Sequence, residues 1–219
     1  MRGRTPARIA MGTKQQVLII GGGTVFEKYE DYLDYLRHYK IEDLKDLKYR
    51  DWKRNLEDSL DNGFEVIYPS FPCKRNAKYL EWKIWLEKFF PFLRDNIILI
   101  GHSLGGAFWL RYLAENAFPV KIAQLHLVAA PLSGDEEFLG DFTPPKDLSR
   151  IGKLAKEIYL YYSQDDPVVS FSNLKEISSK LPRAEIVVLK GYGHFRVEQF
   201  PELLGRLKKQ IRKGKEGIF

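Results

Sequence analysis

The stretch "NIILIGHSLGGAFWLRYLAEN", residues 96 to 116, passes from an apolar burst into a helical pattern through the five residues GHSLG. The burst reads as a strand and the segment after it, with apolar residues at helical spacing, as a helix. Ser103 therefore stands on a strand-to-helix turn. Gly101 and Gly105 lack side chains that would collide where such a turn doubles back, and Gly106 lets the helix approach the sheet. A serine on this kind of turn is held in a strained conformation with its oxygen exposed, and the helix N-terminus offers free amides to developing negative charge. The plainer alternative is a turn whose serine only caps the helix, so partners for Ser103 have to be sought elsewhere in the chain.

The flanking sequence repeats the same alternation. Short apolar bursts occur at 16–21, 64–69, 96–101, 122–130, 157–163 and 185–190, and most are continuously apolar, as parallel strands covered on both faces are. Amphipathic segments such as 78–93, 105–117 and 201–213 lie between them. The pattern predicts an α/β fold: a doubly wound, mostly parallel six-stranded sheet with helices on both faces. Residues 27–61 are longer than one crossover helix needs and read as an enlarged insert of two helical pieces. Residues 131–152 hold three of the eleven prolines and read as a short lid-like loop.

A serine hydroxyl is a weak nucleophile until a base takes its proton, and the base needs a carboxylate to fix its tautomer. On a sheet of this kind the order is Ser, Asp or Glu, then His, each in a loop after a strand. After the fifth burst comes "QDDPVVS" (164–170); Asp166, stiffened by Pro167, is the chosen acid and Asp165 the fallback. Taken alone such a turn is more often a solvated loop. After the sixth burst comes "GYGHFRVEQFP" (191–201), which puts His194 in a glycine-flanked loop as the base. His38 falls in the charged insert, His126 within a strand, and the His102 side chain should point away from Ser103. For the oxyanion the Leu104 amide is one donor, and the loop "GGGTVF" (21–26) supplies the second, Gly23 before Thr24. That loop lacks the spacing and the lysine of a phosphate-binding loop.

These motifs resemble those of the α/β-hydrolase superfamily, and more closely its small YdeN-like, retinoblastoma-binding-protein-nine-like serine hydrolases, over roughly residues 16 to 212. The resemblance rests on "IIGGG", "ILIGHSLGG", "SQDDPVV" and "GYGHF". It implies a compact hydrolase fold without leading antiparallel strands or a large cap, and a triad on Ser103, Asp166 and His194. Many relatives carry a His-Gly pair where this chain has Gly21 and Gly22.

Composition bounds the rest. The chain has 219 residues, 44% of them hydrophobic, enough for one domain, read as 16–212 between a basic extension (1–15) and a basic tail (213–219). The net charge of +6 resides toward the two ends of the chain: residues 1–15 carry +4 and 206–219, the tail with the last turns of the helical pattern before it, carry +5, leaving −3 on the rest, which argues against a nucleic-acid partner. Cys73 is the only cysteine, so no intramolecular disulfide forms, and a cytoplasmic setting is expected. Four scattered histidines and one cysteine predict no metal, and neither a cofactor nor a membrane span is expected. The function expected is a serine esterase acting on a small-molecule ester, with Thr24, Phe26, His102, Phe138, Phe142 and Phe195 near the substrate. A binding or scaffold protein on a hydrolase fold is the alternative.

Overall fold

The computed structural model describes residues 14–132 and 138–216. Residues 1–13 of the predicted basic extension, 133–137 of the predicted lid and 217–219 of the predicted tail lie outside the described residues. The six apolar bursts form six strands: β1 (Gln15–Ile20), β2 (Phe64–Ile67), β3 (Ile97–His102), β4 (Ile122–Val128), β5 (Ala155–Ser163) and β6 (Glu185–Leu189). They pair in parallel in the order β2-β1-β3-β4-β5-β6, as the resemblance implied. Between them run α1 (Tyr29–His38), α2 (Trp52–Ser59), α3 (Tyr79–Glu87), α4 (Leu104–Glu115), the short α5 (Ile151–Leu154), α6 (Ser172–Lys180) and α7 (Pro201–Glu216).

Each strand sends alternate residues to opposite faces, and each face is buried by its own helices. Val17 and Ile19 of β1 with Ile98 and Ile100 of β3 pack against Trp52 and Leu56 of α2 and Leu203 and Leu207 of α7. Leu18, Ile20 and Leu99 face the other way, onto Trp82 of α3, Phe108 and Leu113 of α4, and Ile177 of α6. The chain leaves β1 for β2 and then crosses back to β3, so the strand order reverses between β1 and β3. That is the switch point at which open α/β sheets form a crevice beyond the strands' carboxyl ends. The loops after β1 and β3, which carry the glycine run and Ser103, meet there, with Ile20 in register with Gly101.

One expectation is extended and two are revised. The insert contains α1 and α2 as two helical pieces, and also a turn of 3-10 helix at Leu44–Lys48. The described part of 131–152 is packed instead of lying over the sheet as a lid: Leu132, Leu139, Phe142, Leu148 and Ile151 are all buried, because apolar residues scattered through this proline-rich segment reach α3 and α4. Helix α7 continues through Glu216, so the boundary placed at 212 cuts a helix in progress.

One buried polar cluster stands out on the α7 side of the sheet. His126 of β4 is fully buried; its Nδ1 lies 2.9 Å from the Tyr161 hydroxyl and its Nε2 3.1 Å from Gln124 Oε1. Its ring stacks on Tyr159 at 4.8 Å. Burial, with Arg206 nearby, lowers its pKa to about 3.

Candidate active site

Ser103 occupies the turn between β3 and α4 at φ 55°, ψ −127°, a region that side-chain-bearing residues seldom enter. The backbone holds it there from several sides. Its N–H donates to Val128 O at 2.9 Å, and its carbonyl accepts from Gly106 at 2.7 Å. A Cβ at Gly105 would stand 2.3 Å from Ile20 O, so only glycine lets the start of α4 lie against the end of β1. A Cβ at Gly106 would stand 2.5 Å from the Ala130 Cβ, which is the close helix-to-sheet approach the sequence predicted. Ser103 itself is only 4% exposed. Its hydroxyl makes no hydrogen bond to His194 or to any other described residue.

His194 and Asp166 come together from the loops after β6 and β5. His194 Nδ1 lies 3.0 and 2.9 Å from the two carboxylate oxygens of Asp166. The Asp166 side chain is 1% exposed, and its Oδ1 also accepts from the amides of Val168 and Val169 at 2.8 and 3.0 Å. A carboxylate so held presents a fixed acceptor to Nδ1, which leaves His194 Nε2 as the nitrogen turned to other partners. Asp165, the fallback, has a different employment. It accepts from Ser163 Oγ at 2.6 Å and from the amides of Gly191 and Gly193 at 2.8 and 3.3 Å, and so ties down the histidine loop. Those hydrogen bonds, Ser163's foremost, hold its carboxyl below the usual range.

A second set of contacts braces that loop from α2. His102 is 5% exposed and points away from Ser103, as expected, but it is placed against protein instead of substrate. Its Nε2 lies 3.0 Å from the His194 carbonyl and its Nδ1 3.4 Å from Lys53 Nζ. Lys53, buried on α2, pairs with the N-cap residue Asp51. An ammonium can only donate, so His102 Nδ1 accepts and Nε2–H donates to the His194 carbonyl. Burial and then the Lys53 charge push the His102 pKa well below the ordinary value, in keeping with that neutral tautomer. Trp52 Nε1 donates to Phe195 O at 3.1 Å, the Trp52 amide to Val197 O at 2.8 Å, and Tyr49 Oη to Arg196 O at 3.0 Å.

The loop after β1 lies over Ser103. A Cβ at Gly22 would stand 3.5 Å from Ser103 Oγ, and one at Gly23 would stand 3.1 Å from a Leu104 methyl and 2.8 Å from Lys74 O. Leu104 opens α4, so its amide has no intrahelical acceptor. Thr24 is not available as an oxyanion donor, because its N–H is spent on Lys74 O at 2.8 Å. Two of the aromatics expected near substrate are core residues. Phe142 is 0% exposed, packed on Trp82 and Tyr79; Phe195 is 0% exposed, turned inward by a φ of 53° onto Phe200. Phe26 is half-buried against Tyr32 and Tyr35, and Phe138 is 48% exposed. Among the described residues no group of histidine, cysteine and carboxylate side chains is arranged to hold a metal ion.

Comparison with known proteins fits this architecture to a family, since the model of the family described as "Serine hydrolase" matches residues 41–207. The chain belongs to the serine hydrolase family. This serine hydrolase is 27% identical to YdeN of Bacillus subtilis over 139 residues, 62% of its own length and 73% of that protein's. The crystal structure of the B. subtilis ydeN gene product superposes with a TM-score of 0.67 at 22% identity, over 91% of this chain and 100% of that one. The esterase Pf2001 of Pyrococcus furiosus superposes at 0.55 with 18% identity, over 92% and 82%. The serine hydrolase described here therefore has the YdeN-like form of the α/β-hydrolase fold. No described helix is long and apolar enough to cross a membrane.

Proposed function

We propose that this serine hydrolase is a carboxylesterase that cleaves small to medium acyl esters through an acyl-enzyme intermediate, acting in the reducing cytoplasm where its one cysteine stays free. The observation that carries this reading is the pairing of His194 Nδ1 with the buried Asp166 carboxylate, on the same sheet edge as a serine held at positive φ. Ser103 Oγ attacks the ester carbonyl while His194 Nε2 takes its proton, and the Asp166 carboxylate stabilises the imidazolium. The Leu104 and Gly23 amides receive the oxyanion. The proton then passes to the departing alcohol, and a water, deprotonated by His194, releases the acid and restores the serine. The hydrogen bond from Ser103 Oγ to His194 Nε2, which the structure does not contain, forms in this scheme with substrate in place, since nucleophile–base contacts are commonly made or tightened only in the complex.

Labelling by a fluorophosphonate probe tests the nucleophile. Wild type is expected to label and Ser103→Ala not to. Hydrolysis of p-nitrophenyl butyrate should fall by about 10³-fold or more in the variant. Equal labelling, or equal turnover by both proteins, replaces this reading with that of a binding protein on a hydrolase fold.

His102 is a positioning residue in this scheme. His102→Ala removes the donor to the His194 carbonyl, and misplacing a base by an ångström costs up to about 100-fold. The expected result is a fall in kcat of about 10- to 100-fold with KM little changed. His102→Gln, whose amide can donate to the same carbonyl, should recover most of it. Steady-state kinetics of both variants on one ester checks this, and a loss that Gln does not repair points to general disruption.

A further inference from the structure

On the α2 side of the sheet lies a cavity of about 340 Å³ lined by Arg50, Lys53, Arg54, Glu57, Val66 and Tyr68. Two of its cations have carboxylate partners: Arg50 pairs with Asp58 and Lys53 with Asp51. Arg54 has no carboxylate within 4 Å among the described residues, and neither does Lys74, whose ammonium stands 5.4 Å from the centre of the Tyr68 ring. The Tyr68 hydroxyl has no hydrogen-bond partner among the described residues either. Arg54 and Tyr68 thus line, without acceptors, a cavity whose one lining carboxylate is Glu57, and the Lys74 ammonium stands over the Tyr68 ring at its side.

The cavity is close to the reacting centre. Tyr68 Oη would stand 2.7 Å from a Cβ at Gly21, and a Cβ at Gly22 would stand 3.5 Å from Ser103 Oγ. With adjacent Cα atoms about 3.8 Å apart and each Cα–Cβ bond about 1.5 Å, the Tyr68 hydroxyl is within about 13 Å of the Ser103 oxygen. The Lys74 backbone is part of the same assembly, because its carbonyl accepts from Thr24 in the loop over Ser103.

We infer that Arg54, Lys74 and Tyr68 form a subsite for an anionic group, a carboxylate or phosphate, on the ester that the Ser103 centre cleaves. The inference rests on the esterase reading above and adds the substrate class: an ester with a negative charge a few bonds from the scissile carbonyl. Guanidinium and ammonium donors make their strongest hydrogen bonds to such oxygens, and the two differ in kind, a planar fork and a point charge. Burial, and then the neighbouring Arg54 charge, lower the Lys74 pKa. An anion seated between the two cations relieves that repulsion. Glu57 works against it in part, and because Arg50 and Lys53 are balanced by Asp58 and Asp51 the two unpaired cations still outnumber that one carboxylate.

The test compares charged and uncharged versions of the same ester. p-Nitrophenyl hydrogen glutarate is set against its methyl ester, para-acetoxybenzoate against its methyl ester, and para-acetoxyphenyl phosphate against phenyl acetate. These arms place the anion on the acyl side, on the alcohol side, and as phosphate instead of carboxylate. In at least one arm kcat/KM is expected to favour the charged member by about tenfold, mainly through KM, with the preference shrinking as salt rises. Lys74→Ala and Arg54→Ala should each bring the ratio toward one, and Lys74→Arg should keep most of it. Ratios near one in every arm of wild type, or a preference that both alanine variants retain, overturn the inference and leave the esterase reading standing. Absence of Ser103-dependent turnover of every ester overturns the esterase reading instead. In that event calorimetric titration of Ser103→Ala with glutarate and with inorganic phosphate decides the subsite: binding weakened by Lys74→Ala supports it, and no binding of either ion overturns it.

Discussion

Asp166→Asn should fold normally and yet lose about 10⁴-fold in kcat on any ester this protein cleaves. The size of the loss follows from which oxygen does what. Asp166 Oδ1 accepts from the Val168 and Val169 amides, and an asparagine keeps those bonds by leaving its Oδ1 in place. Its amide nitrogen then occupies the position of Oδ2, 2.9 Å from His194 Nδ1. That nitrogen can only donate, and the retained Oδ1, 3.0 Å from Nδ1, is already shared between the Val168 and Val169 amides, so the balance shifts to Nδ1 accepting with the ring proton on Nε2. An imidazole protonated at Nε2 cannot take the proton of Ser103. Geometry is preserved while the tautomer is wrong, which is why the loss is large and the stability change small. The comparison with Asp165→Asn makes the result specific. Asp165 holds the Gly191 and Gly193 amides and faces no imidazole, so its variant should lose far less. Steady-state kinetics with thermal melts of both variants decides the matter. Equal losses, or an active Asp166→Asn, transfer the acid's role elsewhere.

The features legible in the sequence were those with a local signature. Six apolar bursts became six strands, the central ones because a strand buried on both faces has to be apolar along its length; the edge strand β6 is apolar too although its Ile186 and Val188 are exposed, and nothing distant is needed to see it. The GHSLG turn was legible for the same reason: the constraint on Gly105 comes from Ile20, but it appears in the sequence as a glycine at a fixed offset from the serine. Asp166 and His194 were legible as loop residues each following its own strand. Choosing Asp166 over Asp165 depended on a proline neighbour, and the reason now visible, that Asp165 is committed to loop amides, leaves no trace in local sequence.

What could not be read is what joins distant segments. Trp52 and Phe195 are 143 residues apart, Lys53 and His102 49 apart, and no periodicity links them. The one local hint was Asp51 at an N-cap position just before Trp52 and Lys53. The insert, read from the sequence only as an enlarged pair of helical pieces, supplies the brace behind the histidine loop. Phe142 and Phe195 were misplaced because aromatics in a loop beside a site look like pocket walls. The backbone turns both inward, Phe195 through a positive φ that a sequence does not display.

Acid should destabilise this protein well above the pH at which carboxylates titrate. Two histidines are fully or nearly fully buried and neutral, His126 with its pKa lowered to about 3 and His102 with its pKa well below the ordinary value, burial being the largest cause in each. Unfolding returns both rings to water, where they titrate near the usual value of about 6.5. Between that value and the lowered one the unfolded chain binds protons that the folded chain refuses. Stability therefore rises with pH in this window and is lost as pH falls below about 6.5. From pH 7 to pH 5 the His126 ring contributes a loss of about 2 kcal/mol, a large part of the 5–15 kcal/mol that typically holds a domain folded, and His102 adds to it in the same direction. Among the groups facing His126, the Tyr161 hydroxyl and Gln124 are neutral, Arg206, stacked over Tyr161 and Tyr159, opposes a second positive charge, and the Glu157 carboxylate, which favours the cation, is outweighed by burial and Arg206. For His102 the opposing charge is Lys53. Urea unfolding at the two pH values measures the loss, and His126→Gln should remove about 2 kcal/mol of the pH dependence whatever it does to stability at pH 7. A wild-type stability that stays flat between pH 7 and pH 5 would mean that these rings accept protons in the folded state. The neutral tautomer assigned to His102, and with it the donor that braces His194, would then be wrong.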